Sequence, residues 1–183
     1  MKTRKILSLI SALVFALAAP ASLAEGLALT DMAGREITLD APATRVIALN
    51  PADCEILYAL GAEDVLVGRG EYCNYPEAVL ELPSVNSGTE TNIEQILALE
   101  PDVIVMSKMA QTVEQVEALE AAGVRVVISD AQNMAGVYDA IAMLGALTGK
   151  QEEAAALSSQ MQEGFDALRE KAEDTGKTVY FEV

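Results

Sequence analysis

Residues 45–61 read R-V-I-A-L-N-P-A-D-C-E-I-L-Y-A-L-G. The run continues as G-R-G-E-Y-C-N-Y-P-E over 68–77 and S-G-T-E-T-N-I-E-Q-I-L-A-L-E-P-D over 87–102. Val46 to Leu49 is short and wholly apolar, the pattern of a strand buried on both faces. Pro51-Ala52-Asp53 opens a helix, with Asn50 or Asp53 as its cap, and Gly61 closes it. Val65 to Val67 predicts the next strand, and Pro76 to Glu81 a short helix. Thr91-Asn92-Ile93-Glu94 reads as a capping box, and Ile93, Ile96 and Leu97 form the buried face of its helix. Pro101 stops that helix.

Working outward, strands and helices keep alternating. Leu27 to Asp31 and Glu36 to Leu39 predict a hairpin around Met32-Ala33-Gly34. Val103 to Met106 and Val126 to Ile128 are strands. Val113, Val116 and Leu119 mark a helix ended by Gly123, and Ala135 to Leu147 another ended by Gly149. This order predicts an α/β fold, a doubly wound parallel sheet of Rossmann-like type. Lys150 to Asp174 carries Leu157, Met161, Phe165, Leu168 and Ala172 on one stripe, which predicts a long helix that Gly164 does not break. Thr178 to Val183 has the composition of a strand.

The first residues form a targeting segment. Lys2, Arg4 and Lys5 are a basic start, Ile6 to Ala19 is too short for a convincing membrane span, and Ser22-Leu23-Ala24 offers a signal-peptidase site. Cleavage is expected after Ala24, giving a soluble exported protein with no membrane insertion. The net charge of −16 disfavours nucleic acid and anionic lipid as partners. The chain has no histidine, which removes Ser-His-Asp and Cys-His catalysis and histidine-based metal sites. Cys54 and Cys73 are the only cysteines. In an oxidising compartment they are expected to pair, tying the first helix to the aromatic loop. No catalytic residue, metal site or cofactor is assigned.

Ligands of open α/β sheets bind beyond the carboxyl ends of the strands. The loops there supply Asn50, Pro51, Ala52, Tyr72, Gly88, Thr89 and Lys108 as candidate ligand contacts. Tyr72 offers a flat face and a polar tip to a large conjugated ligand. Tyr75 is expected to pack beside Pro76. Lys108 would face an anionic group. Gly68-Arg69-Gly70 partly matches a dinucleotide loop, but Cys73 falls where the third glycine belongs.

The run from Arg45 to Pro101 resembles the iron-siderophore and vitamin B12 family of periplasmic substrate-binding proteins, which feed ABC importers. The resemblance covers nearly all of the chain after the signal segment. It implies a non-enzymatic protein that carries a metal-chelate or corrinoid small molecule to an ABC importer permease. It also implies a division into a signal peptide (1–24), a substrate-binding lobe (25–149), a long interlobe helix (150–175) and the first strand of a truncated second lobe (176–183). Tyr72 and Tyr75 stand in the Tyr-x-x-Tyr-Pro pattern of the B12-binding members. Glu94 stands where the family has a glutamate that docks on permease arginines. Related zinc and manganese binders use histidines, which are absent here. Some B12-binding members carry tryptophan where this chain has Gly88, so a siderophore, corrinoid, haem-like or oxyanion ligand stays open. The competing readings are a nucleotide-dependent enzyme lobe and an isolated lobe acting by protein contact alone.

Overall fold

A computed structural model describes residues 26–87, 91–107, 113–172, 176–178 and 180. The apolar runs become strands β3 (Val46–Ala48), β4 (Leu66–Gly70), β5 (Ser84–Val85), β6 (Val103–Met106) and β7 (Arg125–Ile128). They form one five-stranded sheet in the order β5-β4-β3-β6-β7. Every pairing in it is parallel. The helices are α1 (Pro51–Ala59), α2 (Ile93–Leu97), α3 (Val113–Ala121), α4 (Met134–Thr148) and α5 (Gln151–Lys171).

Side-chain alternation along the strands sorts the core into two layers. Val46, Ala48, Val103, Val105 and Val127 pack with residues of α1 and α4. Ile47, Ile104, Met106, Val126 and Ile128 pack on the other face with Ile96 of α2 and Leu119 of α3. Because helices cover both faces, the strands show no polar alternation. The hairpin β1 (Leu27–Thr30) and β2 (Glu36–Leu39) makes its own antiparallel sheet. It is bolted to β7 through buried Asp31, which accepts from the backbone N–H of Ala33, Arg35 and Ile128 and from Arg35 Nε.

Helix α4 begins on Asn133, whose side chain accepts from Gly136 N–H at 2.9 Å, and ends on Gly149 at φ 73°. Helix α5 runs unbroken through Gly164 but stops at Lys171, short of Asp174. Its first half packs: Ala154 is buried, and Leu157 and Met161 lean on the core. Its second half leaves Phe165 44% and Leu168 65% exposed.

Several expectations change. Strand β4 runs past the expected Val65 to Val67 and takes in Gly68-Arg69-Gly70, the incomplete match to a dinucleotide loop. Its glycines answer to crowding: a Cβ on Gly68 would lie 2.8 Å from Leu99 Cδ1, and one on Gly70 would meet the Leu49 carbonyl. Residues Glu77–Glu81 make a 3₁₀ turn rather than an α-helix. The cap of α2 is Asn92, whose side chain accepts from Gln95 N–H at 3.0 Å, so Glu94 is one position too early to close a capping box. Thr178 and Tyr180 form no strand; the signal segment and most of the expected terminal strand lie outside the described residues.

Candidate functional site

The parallel strands send all their following loops to one edge. The order reverses between β3 and β6, and at such a switch point the two loops diverge and leave a crevice. A cavity of about 350 Å³ lies there, lined by Asn50, Ala52 and Asp53 of the β3–α1 connection, Ser107 after β6, and Ser129 and Asp130 after β7. Among the expected contacts, Asn50 and Ala52 line it directly; Pro51 is the first residue of α1 between them. Gly88, Thr89 and Lys108 lie outside the described residues.

Tyr72 and Tyr75 project from the neighbouring loop after β4 and are 69% and 65% exposed. The Tyr75–Pro76 peptide is cis. Cys73 N–H donates to Gly70 O at 3.1 Å, which closes a tight turn with Tyr72 at its third position. Arg69 Nη1 reaches the carbonyls of Gly70, Glu71 and Cys73 at 3.2, 3.5 and 3.1 Å. Ser87 N–H approaches Glu71 Oε1 at 3.4 Å and links this loop to the one after β5.

Beneath the edge sits a group of buried titrating side chains. Cys54 and Cys73 are free, buried thiols, and each sulfur lies 3.6 Å from the Ala48 carbonyl oxygen. Their mutual hydrogen bond, then burial, pushes the Cys54 thiol up. The same hydrogen bond draws Cys73 down, with help from the Arg69 charge, against burial. Asp53, in the first turn of α1, is 1% exposed and neither carboxylate oxygen has a hydrogen-bond partner. Burial pushes it from 3.8 up to about 7, against Ser129 and Asn50, which neighbour the carboxyl without meeting hydrogen-bond geometry. Sequence reasoning treated Asp53 as a possible cap and gave Arg69 no role. An acidic residue at a helix start carries no sign of burial until the β7–α4 loop is laid over it.

Glu94 is exposed at the start of α2, and no hydrogen bond or ion pair to its carboxylate is found among the described residues. A second hollow of about 410 Å³ lies at the opposite edge beside Asp40, Asp102 and Arg125. Its carboxylate Asp102 is already engaged, accepting from Thr44 N–H, Thr44 Oγ1 and Arg45 N–H at 2.9, 2.9 and 3.0 Å. Among the described residues no group of three potential ligand side chains could hold a metal ion. The edge at the switch point is therefore the better candidate for a functional site.

Known proteins match this arrangement. The family profile described as periplasmic binding protein matches residues 46–181. An uncharacterized ABC transporter substrate-binding lipoprotein, YvrC of Bacillus subtilis, is 30% identical over 160 residues, covering 84% of this chain and 51% of YvrC. The periplasmic vitamin B12 binding protein BtuF of Vibrio cholerae superposes with a TM-score of 0.64 at 31% identity, covering 71% of this chain and 51% of BtuF. A periplasmic heme binding protein from Pseudomonas aeruginosa gives 0.63 at 28% identity, over 66% of this chain and 44% of that one. The chain thus spans about half the length of the relatives it matches. With its matched span, parallel sheet and ligand edge in agreement, the chain belongs to the periplasmic binding protein family, whose members bind ligands rather than transform them.

Proposed function

We propose that this chain is the substrate-binding component of an ABC importer, taking up a ferric siderophore, a corrinoid or a haem. The observation that carries the reading is the edge itself: a crevice at the switch point and, on the loop after the neighbouring strand β4, two exposed tyrosines. Large conjugated or chelated ligands are held by flat aromatic faces with a few polar groups for orientation. Relatives named for vitamin B12 and heme share this half of the fold.

In this reading Asn50, Pro51, Ala52 and Tyr72 contact the cargo, joined by Gly88, Thr89 and Lys108. Residues 25–149 form the binding lobe, and the segment 150–175, which carries α5, leads out of it. The chain is exported to the periplasm, with the signal segment cleaved after Ala24. Cys54 and Cys73, whose sulfurs both lie against the Ala48 carbonyl, join there in a disulfide, with the oxidising compartment supplying the oxidant. Glu94 docks on the permease. Its exposure and its place outside the cap leave the carboxylate available for an arginine.

Titration of the purified chain with cyanocobalamin, hemin and a ferric hydroxamate tests the proposal, read by ligand absorbance and tyrosine quenching. At least one probe is expected to bind saturably, and more weakly than nanomolar, because one edge covers only part of a large ligand. Tyr72→Ala should weaken it by about tenfold, the loss of an aromatic stacking face. Absence of saturable binding to every probe, or indifference to Tyr72→Ala, would refute it.

A further inference from the structure

We infer that Arg69 is the positioning residue for Tyr72: its guanidinium sits inside the turn Gly70–Cys73 and fixes the backbone from which the exposed ring meets the cargo. The inference rests on the reading of this edge as the cargo face.

The ring of Tyr72 is 69% exposed, so packing does not place it and the backbone sets where its Cα–Cβ bond points. That backbone is a tight turn closed by one hydrogen bond, Cys73 N–H to Gly70 O at 3.1 Å. A single such bond on a surface turn does not hold a loop rigid. Arg69 adds the rest. Its Nη1 meets three carbonyls of the same turn, those of Gly70 and Cys73 at 3.2 and 3.1 Å and that of Glu71 at 3.5 Å. These oxygens belong to the first, second and fourth residues of the turn, so one nitrogen gathers every carbonyl except that of Tyr72 itself. Arg69 is anchored in turn, because its own N–H donates to Pro83 O at 3.0 Å within the sheet. The bracing therefore runs from the rigid sheet into the loop.

Stability alone does not account for an arginine here. Its Nε is buried with no hydrogen-bond partner. Orphaned buried donors are costly, and an apolar side chain of similar length would fill the space without one. The position retains a costly group whose other end organises the turn under Tyr72. A preorganised loop spares the cargo the ordering entropy of the side chain it meets.

The test uses the full chain with Arg69→Met, Arg69→Lys, Tyr72→Ala and the double variant Arg69→Met/Tyr72→Ala. In the ligand-free protein, ¹⁵N relaxation reads the amides of Glu71, Tyr72 and Cys73. Order parameters should fall from the rigid value of about 0.85 to below about 0.6 in Arg69→Met, with an intermediate loss in Arg69→Lys. Hemin and cyanocobalamin titrations follow. Arg69→Met should bind about three- to tenfold more weakly, the equivalent of re-ordering one side chain, and should add nothing once Tyr72 is alanine. Unchanged order parameters overturn the inference, as does an Arg69→Met loss that persists in full without Tyr72. If Arg69→Met does not fold, Arg69→Lys decides by the same two readings. If the unmutated protein binds neither of these probes nor the ferric hydroxamate, the functional reading fails, while the relaxation data still decide whether Arg69 holds the turn.

Discussion

Replacing Asp53 with asparagine should flatten part of the protein's pH–stability profile. The carboxyl is 1% exposed, lacks hydrogen-bond partners and is pushed by burial from 3.8 up to about 7. Between those values the folded protein keeps a proton that the unfolded chain has released. Stability from this group is therefore fully present below about pH 4 and is lost as pH rises toward 7. At about 1.4 kcal/mol per pH unit, the gap is worth about 4 kcal/mol. The helix dipole at the start of α1 favours the anion, but by only about 0.3–1 kcal/mol, so burial wins. Urea unfolding of both proteins at intervals from pH 4 to 8 isolates the effect, since titrations elsewhere cancel in the difference. Asp53→Asn should gain on the unmutated protein steadily across that range and then level off. A stability difference independent of pH would show that Asp53 is ionised and partnered in solution, and the argument from burial would fall.

The remaining predictions concern the same edge. Protein recovered from an oxidising export compartment should yield a linked Cys54–Cys73 peptide by non-reducing mass spectrometry, the bridge adding about 3 kcal/mol in the chain-entropy model; two freely alkylated thiols would refute it. Gly70→Ala should destabilise by about 1–3 kcal/mol, because its methyl meets the Leu49 carbonyl, and a shift in the urea midpoint reads the loss. Glu94→Gln should change stability by less than about 0.5 kcal/mol and leave cargo affinity intact, yet weaken binding to the solubilised permease. A fall in melting temperature with permease binding preserved would reverse the assignment of Glu94.

The fold was legible because its central strands are buried on both faces. Val46–Ala48, Val103–Met106 and Arg125–Ile128 are apolar almost throughout, and each is followed by a helix with its own start or stop signal. Strand β5 escaped notice because two residues, Ser84 and Val85, carry no periodicity. The strand expected over Val65 to Val67 runs on to Gly70 because Leu99, Ile47 and the Leu49 carbonyl leave no room for a side chain at Gly68 or Gly70, a crowding the sequence does not display. The cap of α2 was misplaced by one residue because Thr91 and Asn92 are both good caps, and only the accepted Gln95 N–H decides between them. Tyr72 was legible as an aromatic in a strand-end loop. The bracing beneath it was not, since hydrogen bonds from a side chain to backbone carbonyls leave no mark on residue type.

The distribution of unsatisfied groups supports the choice of edge independently of any resemblance. Asp31 and Asp53 are both buried aspartates, at 4% and 1% exposure. Asp31, on the flank of β7, accepts four hydrogen bonds and fastens the hairpin. Asp102, where the strands begin, accepts three and fastens the entry to β3. Asp53 accepts none. The other buried side-chain polar atom left without a partner among the described residues is Arg69 Nε. Both belong to the segments that flank the crevice and the tyrosine turn. Buried polar groups are ordinarily paired, and an unpaired one is retained where function sets the residue against stability. A fold selected for stability alone would have satisfied these groups or replaced them with apolar side chains, as it did across the rest of the sheet. Their confinement to one edge is what sets that edge apart from the rest of the sheet and supports it as the candidate site.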